Sequence, residues 1–153
     1  MASTRSIPDE INRFHHEQYP FHWIVTVHAR YTRLMEIELK KVDLDVSRFR
    51  ILSLAREFDS ASITRISEHA IIKMPTVVKI VARLKEEGLL TTCADESDGR
   101  VTLISLTDAG NSLLDKATNG VHQVFAKAFE GISELQAERM NMTLAMILVN
   151  MTA

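Results

Sequence analysis

Between Lys73 and Lys85 the chain carries four basic residues and no acidic one. Thr76, Lys79 and Arg83 fall there at i, i+3 and i+7, so a helix would hold them on one face, with Lys73 and Lys85 at its ends. Lysine and arginine in such an array can neutralise phosphates and reach base edges, while the neighbouring Met74 and Pro75 can touch thymine methyl groups. A second candidate follows. Arg100 stands just past Asp98-Gly99, a strong turn dipeptide because Gly tolerates positive φ and Asp can bond its own backbone. An arginine at such a tip suits phosphates or a narrow minor groove, and Asp98 would orient it rather than meet DNA. This is recognition chemistry. No Gly-rich phosphate loop, nucleophile elbow or structured pair of carboxylates is present, so an enzyme is not expected.

The elements that must position these groups can be read from spacing. Val77, Ile80, Val81 and Leu84 form one apolar stripe opposite the cationic face, which predicts a helix over about 75–87 with one side in a core. A short helix over 63–69 precedes it, capped by Ser62. Leu89 to Cys93 leans toward strand, and Val101 to Leu106 supplies the return strand of a hairpin. Helix, turn, helix and a hairpin tipped by arginine is the plan of a winged helix, whose second helix enters the major groove.

Ile66-Ser67-Glu68-His69-Ala70, Lys73 to Val81 and Leu84-Lys85-Glu86-Glu87-Gly88-Leu89-Leu90 resemble the MarR family of bacterial transcriptional regulators. Asp98-Gly99-Arg100 is similar to that family's wing signature, Leu106 to Gly110 to its strand-to-helix junction, and Leu44 to Leu52 to its second helix. The likeness covers nearly the whole chain. It departs at Thr91-Thr92-Cys93, where the first wing strand often carries basic residues, and at Lys73, where a small capping residue is usual. The resemblance implies a mainly α protein with a small β-wing. A winged helix-turn-helix DNA-binding domain would span 46–107, with dimerisation helices over 1–45 and 108–153.

Composition bounds the rest. At 153 residues, with 46% hydrophobic and 25% charged residues, the chain can bury a real core. A net charge of −2 argues against a generic polyanion binder, but screening confines the field of a local cationic face to about 10 Å, so patterning decides. One cysteine allows no internal disulfide and suits a reducing cytoplasm. Met1 to Glu10 has no apolar signal core, and no run approaches the roughly 20 apolar residues of a membrane span. A turn or helix is expected over 8–16, and a long helix over about 21–41 with Ile24, Val27, Tyr31, Leu34 and Ile37 inward. Asp45 should cap a helix over 46–57 that buries Phe49 and Leu52, with Phe58 just beyond, and 59–62 reads as a loop. Thr107 should cap a helix starting at Asp108 and ending near Gly131, and Ser133 with Gln136 forms a capping box for a helix over 134–150. That last helix is apolar on more than one side, which predicts a two-fold homodimer with recognition helices about 34 Å apart on a pseudo-palindrome.

The switch is harder to read. The resemblance implies a small-molecule effector in a cleft between the dimerisation helices and the winged unit, near Tyr19, Phe21, His22, Trp23, His28, Arg48 and Phe49. Aromatic walls with an arginine fit a planar aromatic carboxylate or phenol, and Arg48 stands where the family often has Gln. On this reading the protein is a repressor that the effector releases, although the sequence leaves repressor and activator both open. The alternative is a redox- or metal-responsive regulator using Cys93 or the six histidines (15, 16, 22, 28, 69, 122). These show no structural-zinc spacing, and no metal or cofactor is expected.

Overall fold

The computed structural model describes residues 15–152, so the turn or helix expected over 8–16 lies outside the described residues except at His15 and His16. Six α-helices and three short strands follow in the order α1 (Pro20–Lys40), α2 (Val46–Glu57), β1 (Ala61–Ser62), α3 (Ile63–Ala70), α4 (Met74–Glu86), β2 (Leu90–Ala94), β3 (Thr102–Leu106), α5 (Asp108–Ala128) and α6 (Glu134–Thr152). The architecture is mainly helical with a small antiparallel sheet. No helix among the described residues is long and apolar enough to cross a membrane.

Local chemistry sets most boundaries. Pro20 occupies the first turn of α1, where its missing N–H costs nothing. The Asp45 carboxylate accepts from Arg48 N at 2.8 Å to start α2, and Ser62 Oγ accepts from Arg65 N at 3.1 Å to start α3. At α6 the capping box closes both ways: Gln136 N donates to Ser133 Oγ at 3.3 Å and Ser133 N donates to Gln136 Oε1 at 2.9 Å. The turn between α3 and α4 has an unusual residue at its centre. Ile71, rather than a glycine, takes the left-handed conformation (φ 55°), which is unfavourable for a β-branched side chain. Two bonds hold it there: Ile72 N donates to Ser67 O, and Ser67 Oγ donates to Ile72 O at 2.7 Å.

The sheet has strand order β1-β3-β2, with Ala61 opposite Ile104 and Leu90 opposite Leu106. The loop expected over 59–62 is therefore half strand. Two residues are too few to show a period of two, so only the partner strand reveals them. Leu39, Ile51, Leu52, Ile66, Val77, Leu84, Leu90, Ile104 and Leu114 are fully buried in one core that joins every element except α6 and the start of α1. Phe49 and Phe58 are half-buried against it.

The long first helix differs from its predicted stripe. Met35 and Leu39 are buried, whereas Val27, Tyr31 and Ile37 are exposed. The helix therefore docks only its C-terminal half on its own chain. Helix α6 has no fully buried residue: Leu135, Met142, Met146, Leu148, Val149 and Met151 lie open to solvent.

One junction ties the winged unit to α5. Gly88 (φ 74°) ends α4, Thr107 N donates to Leu89 O, and Thr107 Oγ1 donates to Gly88 O at 2.7 Å while accepting from Gly110 N at 3.0 Å. Gly110 sits so close that a Cβ there would stand 2.1 Å from Leu89 O and 2.6 Å from Leu106 Cδ2. Gly110→Ala must push α5 off this junction. A loss of about 1–3 kcal/mol of unfolding free energy is expected, read from urea denaturation, and an unchanged midpoint would mean the close approach is absent in solution.

Candidate nucleic-acid interface

Helix α4 is held by its apolar stripe, with Val77, Val81 and Leu84 buried and Ile80 packed against the core. The opposite face is therefore turned outward. Lys73, Pro75, Thr76, Lys79 and Arg83 are exposed and Met74 is half-buried. Lys73 caps the helix with its backbone alone: its carbonyl accepts from Thr76 N at 2.9 Å and Val77 N at 3.1 Å, and its side chain makes no capping bond. The ammonium group is thus left at the positive end of the helix dipole, where an anion is doubly favoured.

The C-terminal end of α4 is braced. Lys85 Nζ donates to Thr92 Oγ1 at 2.7 Å, which ties the helix to β2. Arg83 Nε donates to Glu87 Oε1 at 2.9 Å. Glu87 also accepts from Arg48 NH2 through its other oxygen, a pairing that sequence reasoning missed because the two residues are 39 apart. A cluster of Glu86-Glu87 beside basic residues was the only available signal.

The wing is the segment between β2 and β3. Its tip differs from the glycine turn expected at Asp98-Gly99, because Gly99 does not adopt positive φ. Asp95 organises it instead. The Asp95 Oδ1 atom accepts from Ser97 N at 2.7 Å, from Ser97 Oγ at 2.5 Å and from Asp98 N at 3.3 Å, while Asp95 N donates to Val101 O at 2.9 Å. These bonds, the Ser97 hydroxyl first, hold the Asp95 carboxyl below its usual range.

Asp98 bonds the arginine two residues on. Oδ1 accepts from Arg100 N at 3.1 Å and Arg100 Nε at 3.0 Å, and Oδ2 accepts from Arg100 NH2 at 3.0 Å. The guanidinium is held by a fork yet remains almost wholly exposed, its side chain 91% accessible. Met74 and Arg100, distant in sequence, line the same surface concavity with Ser62, Thr64 and Val78. Helix start and wing tip therefore share one surface.

The candidate effector residues fall into two groups. At the start of α1, His22 packs edge-on between His16 (ring centroids 4.7 Å) and Trp23 (5.3 Å). Tyr19 and Phe21 lie 5.5 Å apart, Trp23 Nε1 donates to Glu17 O, and His28 is exposed. Arg48 is placed differently. It is 93% buried at the start of α2, where NH1 donates to Asp43 O at 2.8 Å and NH2 is paired with Glu87; only Nε lacks a partner. Its terminal nitrogens are thus already occupied by groups of its own chain. Cys93 is exposed on β2, and among the described residues no three His, Cys, Asp or Glu side chains gather as a metal site would need.

A family model described as "Transcriptional regulator SarA/Rot" matches residues 33–117. The HTH-type transcriptional repressor IacR of Pseudomonas putida is 41% identical over 140 residues, which is 92% of this chain and 84% of that protein. A MarR-family transcriptional regulator from Silicibacter pomeroyi superposes with a TM-score of 0.80 at 21% identity, covering 88% of this chain and 91% of that one. The structure of CouR from Rhodococcus jostii bound to p-coumaroyl-CoA superposes at 0.79 with 26% identity, covering 86% and 93%.

The wing pair has a pH signature. The Arg100 side chain, and then its backbone N–H, hold the Asp98 carboxyl below its ordinary range, while slight burial and the Asp95 charge oppose them. A carboxyl whose folded pKa is depressed adds stability that is complete above the unfolded pKa and is lost as pH falls through the folded value. Carbon-detected NMR titration should give Asp98 a midpoint below that of an ordinary aspartate, and Arg100→Ala should move it upward. The same midpoint in both proteins would show that the fork does not persist in solution.

Proposed function

This chain belongs to the SarA/Rot family of transcriptional regulators, winged-helix proteins of the MarR type, and from that membership we propose that it is a homodimer reading a pseudo-palindromic operator. It is a DNA-binding regulator and not an enzyme. One observation carries the finer reading: the buried stripe of α4 turns Lys73, Thr76, Lys79 and Arg83 outward, and Arg100 of the wing stands beside Met74 and Val78 on the flank of the same helix. Phosphate contacts from Lys73, Lys79, Arg83 and Arg100 would set register and strength. Thr76, Met74 and Pro75 would face the bases.

The dimer rests on the apolar surface left over. Helix α6 and the first half of α1 expose Trp23, Val25, Leu148 and Val149 together with the methionines of α6, and a second copy of the same two helices is the surface that would cover them. On this division 1–45 and 108–153 form the dimerisation helices and 46–107 the DNA-binding domain.

Repression relieved by a small aromatic acid or phenol completes the proposal. IacR is named a repressor and CouR was solved bound to p-coumaroyl-CoA, a thioester that carries a phenolic acyl group, which favours an aromatic effector for this chain. The Tyr19–Phe21 and His22–Trp23 ring pairs at the start of α1 supply aromatic surface, and Arg48 Nε is a buried donor still without a partner.

Three measurements test this reading. Light scattering should report a dimer at micromolar concentration, and Leu148→Asp should give a monomer with much weaker operator binding; a wild-type monomer would end the dimer proposal. Arg100→Ala should weaken operator binding and flatten the slope of log affinity against log salt by about one unit, as loss of one phosphate contact requires. An unchanged slope would remove Arg100 from the interface. Release of the operator by members of a panel of hydroxylated aromatic acids, read by mobility shift, is expected; release by none would remove the effector.

A further inference from the structure

The carboxylate of Glu87 is shared. Its Oε1 accepts from Arg83 Nε at 2.9 Å, and its Oε2 accepts from Arg48 NH2. The two arginines differ in setting: the Arg48 side chain is 8% exposed and that of Arg83 is 67% exposed, with Glu87 between them at 33%. Arg48 is itself fixed, since NH1 donates to Asp43 O and its own backbone N–H donates to the Asp45 carboxylate. A line of bonds therefore runs from the turn between α1 and α2, through a buried guanidinium and the Glu87 carboxylate, to the outward face of α4.

We infer that Glu87 is a positioning residue for DNA reading, which aims Arg83 at the duplex and is itself aimed by Arg48. The geometry of the Arg83 bond is the reason. Glu87 takes only the Nε hydrogen, so the two terminal nitrogens of Arg83, which make no other bond among the described residues, stay free for a phosphate. An unpaired arginine at 67% exposure would sample many rotamers, and ordering it on binding costs side-chain entropy. Anchored at Nε, it has lost part of that freedom in advance. Charge points the same way. Two guanidinium groups on one carboxylate leave a net positive charge, which a phosphate can complete. Glu87 is thus an acidic residue next to the DNA face that need not repel DNA. Arg48, although buried and out of reach of the duplex, acts by holding Glu87 in place. Should Arg48 be lost, Glu87 would be free to fold over both terminal nitrogens of Arg83 and mask them.

The inference rests on the reading that Arg83 meets DNA, and a double-mutant cycle separates the two. Operator affinity is measured for the full chain, for Arg83→Ala, for Glu87→Gln and for the double variant, with thermal midpoints recorded for each. Arg83→Ala alone tests the contact: affinity and salt slope like wild type would overturn that reading first. Given a loss there, Glu87→Gln should weaken binding by about threefold or more when Arg83 is present, relative to its effect in the Arg83→Ala background. A merely structural role, or the through-space removal of one negative charge, would act alike in both backgrounds, and that equality would overturn the inference. If Glu87→Gln does not fold, Glu87→Asp keeps the charge beside Arg48 but is one methylene short of spanning both arginines. The same cycle with it should give the same inequality.

Discussion

An α-helix can bury one stripe and must then expose the opposite one, and the protein turns on that constraint at α4. Val77, Val81 and Leu84 are locked into the core, so Thr76, Lys79 and Arg83 have nowhere to point but outward. Burying each such apolar side chain contributes roughly 1.5–3 kcal/mol. Rotating the helix by a third of a turn would forfeit that several times over and drive a lysine into the core. The orientation of the basic face is therefore fixed by apolar packing. Electrostatics then acts on a surface that is already aimed.

The other parts extend that fixed surface in small, separate steps. Lys73 leaves its ammonium free because the helix start is capped by backbone alone. Lys85 ties the helix end to β2, and β2 and β3 carry the tip on which Asp98 forks Arg100. Behind them, the closeness of Gly110 to Leu89 O lets α5 begin where the wing ends. Each connection is short and made by a different kind of group: a glycine without a side chain, a threonine hydroxyl, a lysine, a forked aspartate. None is strong alone. Together they leave little room for helix and wing to move independently.

The sequence made much of this legible, and the reason is that helices advertise themselves. Asp45, Ser62, Thr107 and Ser133 are residues that win at helix starts because their side chains satisfy free N–H groups, and all four do so here. The stripe of α4 repeats often enough to be read. What stayed hidden is what local pattern cannot carry. A two-residue strand has no period, and Ile71 in the left-handed region contradicts its own propensity, held by Ser67 across the turn. The stripe predicted for α1 missed its buried residues because a long helix docked at one end only repeats its pattern where nothing packs. Arg48 illustrates the limit best. Its type and place suggested an open acid receptor, but a carboxylate 39 residues away already occupies one terminal nitrogen and only Nε is left without a partner. Burial and pairing are properties of a contact, and no single position in the chain encodes one.

A chain with a net charge of −2 must still approach a polyanion, and the distribution of its charge explains how. Two acidic groups beside the basic face are engaged with guanidinium groups: Glu87 lies between Arg48 and Arg83, and Asp98 is forked by Arg100. A carboxylate bound to a cation a few ångströms away presents a dipole rather than a bare charge, and a dipole's field falls off faster with distance than a charge's. Beyond a Debye length of about 8 Å the rest of the molecule's negative charge is screened at physiological salt. Duplex phosphates at contact distance would thus meet Lys73, Lys79 and the free ends of Arg83 and Arg100, and would sense little of the acids behind them. Pairing acids with arginines beside this face would keep the chain near neutrality overall without neutralising the face, and would hold the arginines' side chains ready at the same time.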